Sequence, residues 1–174
     1  PKRFPPLRDF EAWAELMRHE SKGAAGSKVE GGHLLRREAP KNVFRITAYR
    51  YRRRLERAKM IDALKAHIRK RDKDRWDGHG DTPALWVLRL IALPKETEAV
   101  RKARSRLAAA LELAALNDVR PQLLLGFLYE VGPSAVTEEH AAMNKQYVWA
   151  KYYRKPDPYE DWDDDTGNQS GSWT

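Results

Sequence analysis

The 174 residues carry 33 Lys and Arg against 25 Asp and Glu, a net charge of +8, and no cysteine. Disulfides, cysteine-bearing zinc sites and thiol catalysis are thereby excluded, and with no apolar run of about 18 residues no membrane-spanning helix is expected. A single domain with a modest core fits this length, while six Trp and seven Tyr in so charged a chain imply packing against partners as well as a private core.

Prolines 1, 5 and 6 keep residues 1–8 extended. Asp9 is placed to cap a short helix from Phe10 to about His19, with Phe10, Trp13, Leu16 and Met17 as its apolar face. Residues 21–33 are rich in Gly and read as a flexible loop. Gly23, Gly26, Ser27 and Lys28 do not stand in the order that a phosphate-binding loop requires. Residues 1–40 therefore form an extended N-terminal segment with one short helix and a Gly-rich loop.

The chain then changes character. Residues 41–75 hold 14 Lys and Arg against the four acids Glu56, Asp62, Asp72 and Asp74, a net +10 that exceeds the whole chain's +8. Phe44, Ala48, Tyr51, Leu55 and Ala58, then Ile61, Leu64 and Ile68, recur at helical spacing without an intervening Gly or Pro. This predicts one continuous helix from an N-cap at Asn42 to about Lys70. Arg50, Arg53, Arg54 and Arg57 share a face at spacings of three and four, whereas Arg52 points elsewhere, closer to Arg45 and Lys59. Cations on more than one side are expected of a helix inserted between anionic surfaces.

Beyond this helix, Asp77, His79 and Asp81 lie in a Gly-rich turn rather than in a metal-ligand spacing. Thr82 followed by Pro83 is a strong helix start. The apolar run 84–93 reads as helix, a buried strand being the alternative. A helix is predicted from Lys95 to Leu116, with Val100, Ala103, Leu107, Ala110, Leu111 and Ala114 as its core stripe, Arg101, Lys102, Arg104 and Arg106 at its front, and Asn117-Asp118 as its end. A second apolar run follows at 122–131, and a last helix runs from Thr137 to about Arg154. The fold class is accordingly mainly α: a long basic helix and a small helical core make a basic helical domain over 41–155. The alternative is α+β with short strands at 84–93 and 122–131. Residues 156–174 form an acidic tail, in which Asp157, Glu160, Asp161, Asp163, Asp164 and Asp165 give −6.

No motif for catalysis is present. The five histidines are scattered, no Gly-x-Ser-x-Gly turn occurs, and no acid pair sits in an apolar frame. Catalytic residues, metal ligands, cofactors and a small-molecule substrate are not expected. The binding set is instead Arg45, Arg50, Arg52, Arg53, Arg54, Arg57, Lys59, Lys65, Arg69 and Lys70, placed to neutralise RNA phosphates, with Arg suited by its planar, bidentate fork. Trp149, Tyr152, Tyr153, Tyr159 and Trp162 are candidate anchors for neighbouring proteins.

Two short stretches, Tyr49-Arg50-Tyr51-Arg52-Arg53 and Leu85-Trp86-Val87-Leu88-Arg89-Leu90, resemble a long-helix protein of the bacterial-type large ribosomal subunit, in which the two lie much closer together. The overall plan, a long arginine helix with extended Pro-rich and acidic ends, resembles ribosomal and mitochondrial-ribosomal proteins. The resemblance implies no role for any single residue. With the basic helix it leads to the expectation of a structural, rRNA-binding component of a large ribonucleoprotein, in the mitochondrial matrix or the cytoplasm. The alternatives are a DNA-binding protein of a phage or mobile element, and an accessory subunit of a protein complex without nucleic acid.

Overall fold

The computed structural model describes residues 4–25, 40–76 and 79–131. Its elements are α1 (Phe10–Ala25), α2 (Pro40–Arg57), α3 (Ile61–Asp72), a 3₁₀ turn (Lys73–Trp76), α4 (Pro83–Arg89), α5 (Glu98–Leu116), a second 3₁₀ turn (Pro121–Leu123) and α6 (Leu124–Val131). The fold is mainly α, and no strand occurs among the described residues. Both apolar runs for which a strand was the alternative are helical. Pro83 and Pro121 each open a turn whose first N–H would be free in any case. None of these helices is long and apolar enough to cross a membrane.

Helix α2 is the central element, in contact with α1, α4, α6 and the second 3₁₀ turn. Its inward residues Ile46, Ala48, Tyr49, Tyr51 and Leu55 are buried with Trp13 and Met17 of α1, Trp86, Val87 and Leu88 of α4, Leu111 and Ala114 of α5, and Phe127 of α6. Asp9 caps α1 as the sequence predicts, its Oδ1 accepting the Ala12 N–H at 3.0 Å. That helix continues past His19 to Ala25 and takes up the first turn of the expected loop. The segment before it is tied down. Trp13 Nε1 donates to the Pro6 carbonyl at 3.1 Å, and Phe4, Trp13 and Tyr51 stack in series with centroid spacings of 5.5 and 4.0 Å.

The predicted single helix from Asn42 to Lys70 is broken, although no Gly or Pro marks the place. The Met60 N–H bonds the Leu55 carbonyl at 2.8 Å and the Lys59 N–H bonds that of Glu56 at 3.0 Å, with Lys59 at φ 56°. This is a Schellman ending with Lys where Gly is usual. Leu55 is buried and Met60 packs against the same core, so burial of these two side chains holds the turn. Asn42 is correspondingly not an N-cap. It lies in the first turns of α2, which begins at Pro40, and is buried.

In α5, Thr97 caps the start through Oγ1, 3.3 Å from the Val100 N–H. Asn117-Asp118 ends it with a second Schellman turn, in which Val119 N–H reaches the Ala114 carbonyl at 2.9 Å and Asp118 has φ 49°. The expected core stripe is right only from Leu107 onward. Val100 is 50 % exposed and Ala103 is also exposed, because in the first two turns of α5 the inward side chain is Arg104, laid over Trp76 and paired with Glu96.

The broken helix predicts the sign of one substitution. Lys59→Gly removes the cost of a left-handed Lys and should stabilise the protein by up to about 1 kcal/mol in urea unfolding, whereas Lys59→Ile should destabilise it. A continuous helix would give the opposite result for Gly, a loss of about 1 kcal/mol.

Candidate nucleic-acid interface

The 14 cations of residues 41–75 fall into three groups. The first is held by ion pairs. Arg52, only 4 % exposed, is clasped by Glu112 of α5, with Nε to Oε1 at 3.2 Å and Nη2 to Oε2 at 2.9 Å, and by Glu56 one turn along α2. Burial draws its pKa down, but the bonds to Glu112 and Glu56 more than offset this and hold it above the ordinary value. Arg53 bonds the Val119 carbonyl at 2.5 Å and Asp118 at 2.6 Å, so it closes the C-terminal end of α5 where the helix dipole favours a cation. Lys65 pairs with Asp81 at 3.0 Å. Arg71 pairs with Asp72 at 2.6 Å and donates to the Arg89 and Leu90 carbonyls at the end of α4. Arg75 reaches Glu96 at 3.2 Å.

The second group lies on aromatic rings. Arg50 sits over Phe4, Arg54 over Trp13 and Arg69 over Trp86, with centroid distances of 5.8, 5.7 and 5.2 Å. The third group, Lys41, Arg45, Arg57, Lys59, Lys70 and Lys73, has neither an ion pair nor a ring contact among the described residues. All of these but Arg45 are exposed, and Arg69 is exposed as well. Burial draws the pKa of the half-buried Arg45 down.

The predicted binding set is thus divided by the fold. Arg57, Lys59, Arg69 and Lys70 stand on the surface around the α2–α3 corner and along α3. Arg45, Arg50, Arg53, Arg54 and Lys65 are half-buried. Arg52 is withdrawn from any surface, so its deviation from the face of Arg50, Arg53 and Arg57 reflects a pairing with Glu112 inside the protein and not insertion between two anionic surfaces. The proposed anchors Trp149, Tyr152, Tyr153, Tyr159 and Trp162 lie outside the described residues, as does the acidic tail.

Sequence reasoning missed a second basic cluster. At the junction of the first 3₁₀ turn, α4 and α5, the guanidinium of Arg75 lies 4.3 Å, that of Arg89 5.0 Å and that of Arg104 5.1 Å from the Trp76 ring centroid. Arg89 lies at 4.5 Å from Trp86 as well. Indole N–H groups fix both rings, Trp76 through Asp72 at 2.8 Å and Trp86 through Asp81 at 2.6 Å. The only signal in the sequence was Trp86 and Arg89 three residues apart on one helix, since Trp76 and Arg104 arrive from other elements. Among the described residues no three His, Asp or Glu side chains gather closely enough to hold a metal ion.

No protein-family model matches the chain, no curated protein is detectably similar to it, and no solved structure matches it.

Two outcomes are expected. Glu112→Gln leaves the buried Arg52 with Glu56 as its one carboxylate and should cost about 1 to 3 kcal/mol in urea unfolding, whereas Arg57→Gln on the surface should change stability little. The second is a dependence on acid. Burial raises the pKa of Asp72 and of Glu96, but the bonds from Arg71 and Trp76, and from Arg104 and the Leu93 N–H, outweigh it and hold both below their ordinary values of 3.8 and 4.5. A depressed carboxylate stabilises fully above its unfolded pKa and ceases to do so as pH falls through the folded one. The urea midpoint should therefore hold from neutral pH to about 5 and fall below about 4, less steeply in Glu96→Gln.

Proposed function

We propose that this chain is a structural RNA-binding component of a large ribonucleoprotein, such as a ribosome, holding RNA phosphates on the surface formed by the end of α2 and by α3. The observation that carries this reading is the state of the cations. After the fold has used its ion pairs and ring contacts, Arg57, Lys59, Lys70 and Lys73 remain exposed without an acid among the described residues, in a stretch of net +10. Arg69, exposed beyond the Trp86 ring, joins them. Such a surface repels itself in water and gains most opposite a polyanion, where each phosphate contact releases condensed counterions.

Contacts of this kind neutralise charge and fit shape without reading bases. They suit a protein that holds RNA against one of its surfaces. The rigid support is α2 itself, whose apolar side is packed on three other helices.

The test is a salt titration of RNA binding. Replacing Arg57, Lys59, Arg69 and Lys70 with Gln keeps helix propensity at the three helical positions and should make the log–log salt slope shallower by up to about three, at roughly 0.7 to 0.9 per lost contact. Affinity should fall by similar factors for unrelated RNAs. A wild-type slope in the quadruple variant would mean that this surface does not touch phosphate. Preference for duplex DNA over RNA would favour a DNA-binding protein, and binding to neither would favour a subunit of a protein complex.

A further inference from the structure

Arg89 is the cation whose surroundings the fold does not account for. It is 2 % exposed, and it lies against the rings of Trp86 and Trp76. Its Nε and Nη1 are buried and find no hydrogen-bond acceptor among the described residues. A buried guanidinium without an anion is costly, and ring contacts replace only part of its lost hydration. Burial, with Arg104 beside it, pushes its pKa down to about 10 against the opposing pull of Asp81, whose carboxylate bonds the Trp86 indole and Lys65 and not Arg89.

A cleft of about 390 Å³ opens at this point, lined among others by Arg75, Arg89, Lys95, Glu96, Arg101 and Arg104. Those six residues carry five cations and one carboxylate, a net +4. The carboxylate is fully engaged, with Glu96 Oε1 accepting from Arg104 at 2.6 Å and from the Leu93 N–H at 3.2 Å, and Oε2 accepting from Arg75 at 3.2 Å. Arg89, Lys95 and Arg101 are left without a carboxylate among the described residues.

We propose that this cleft binds a phosphate monoester, seated against the Arg89 guanidinium and flanked by Lys95 and Arg101. A dianion answers the excess charge better than a single carboxylate. A tetrahedral group with several acceptor oxygens can meet donors that arrive from α4, α5 and the loop between them at once. The volume exceeds that of bare phosphate and lies in the range of cavities that hold small organic ligands, so an ester fits. The ester is either a free nucleotide-like molecule or the terminal phosphate of an RNA chain. The inference does not depend on the α2–α3 surface, whose exposed cations it does not use.

The experiment is isothermal titration of the full chain with adenosine 5′-monophosphate and with inorganic phosphate, at matched ionic strength in chloride, and with adenosine as the uncharged control. Saturable binding of both phosphates and none of adenosine is expected. Arg101→Gln and Lys95→Gln replace exposed side chains that the core does not use, and each should weaken affinity by about tenfold or more. Arg89→Met should abolish binding. Tighter binding of a 5′-phosphorylated RNA than of its 5′-hydroxyl counterpart assigns the group to an RNA end. Equal binding of the two, with the monophosphate still bound, assigns it to a small ester. Absence of saturable phosphate binding, affinity unchanged in both Arg101→Gln and Lys95→Gln, or binding of an acidic peptide in place of phosphate would overturn the proposal. The salt slope for 5′-hydroxyl RNA reports on the α2–α3 surface separately, so either reading can fail without the other.

Discussion

The fold turns on one partly buried carboxylate. Glu112 of α5 receives the Arg52 guanidinium from α2 through both oxygens, and its Oε1 also accepts the Ala84 N–H at 2.5 Å. That N–H belongs to the first turn of α4, where no intrahelical acceptor exists. Thr82, the residue that would normally satisfy such a donor, makes no side-chain cap. Three helices therefore meet on one side chain, and each supplies what another lacks. An apolar trio of similar volume could pack as well, but it would not distinguish which face of α2 turns inward. The pair does, because Arg52 needs a carboxylate where it is buried and Glu112 is the one that another helix brings to it.

The same economy governs the rest of the interior. A chain that is 33 % charged sets Trp and Tyr among the Leu and Ala of its core and lays arginines across those rings. Guanidinium is flat and weakly hydrated, so it tolerates an aromatic face where ammonium would not. The polar edges of the aromatics are tied as well. Tyr49 donates to the Val119 carbonyl at 2.6 Å and Tyr51 to that of Leu7 at 3.3 Å, and burial pushes the Tyr49 hydroxyl up to about 12. Helix ends are closed by cations drawn from elsewhere in the chain, with Arg53 on α5 and both Arg18 and Arg71 on α4.

Positive charge in this protein consequently has two roles that composition cannot separate. Arg52, Arg53 and Arg71 are structural, since each satisfies a carboxylate or a carbonyl within the fold. The exposed cations around the α2–α3 corner, and Arg89, Lys95 and Arg101 of the cleft beside Trp76, lack such partners among the described residues. The proposed functions rest on that residue of unused charge and not on the net +8.

Much of the fold was legible in the sequence. Asp9 and the pair Asn117-Asp118 marked helix ends through local hydrogen bonding, Thr82-Pro83 marked a helix start, and helical spacing gave α2 and α3 their inward residues. Such features are decided within a few residues of chain, so the sequence by itself determined the helical class, the starts of α1 and α4, the end of α5 and the concentration of charge in residues 41–75. It did not show the break at Lys59, because that turn is held by burial of Leu55 and Met60 in a core made by distant residues, without the Gly that usually announces it. Nor did it show which arginines are spent. Arg52 and Glu112 are 60 residues apart, and Trp76, Arg89 and Arg104 come from three elements. A cation's role depends on whether an acid, a ring or water lies beside it, and only the tertiary structure decided that.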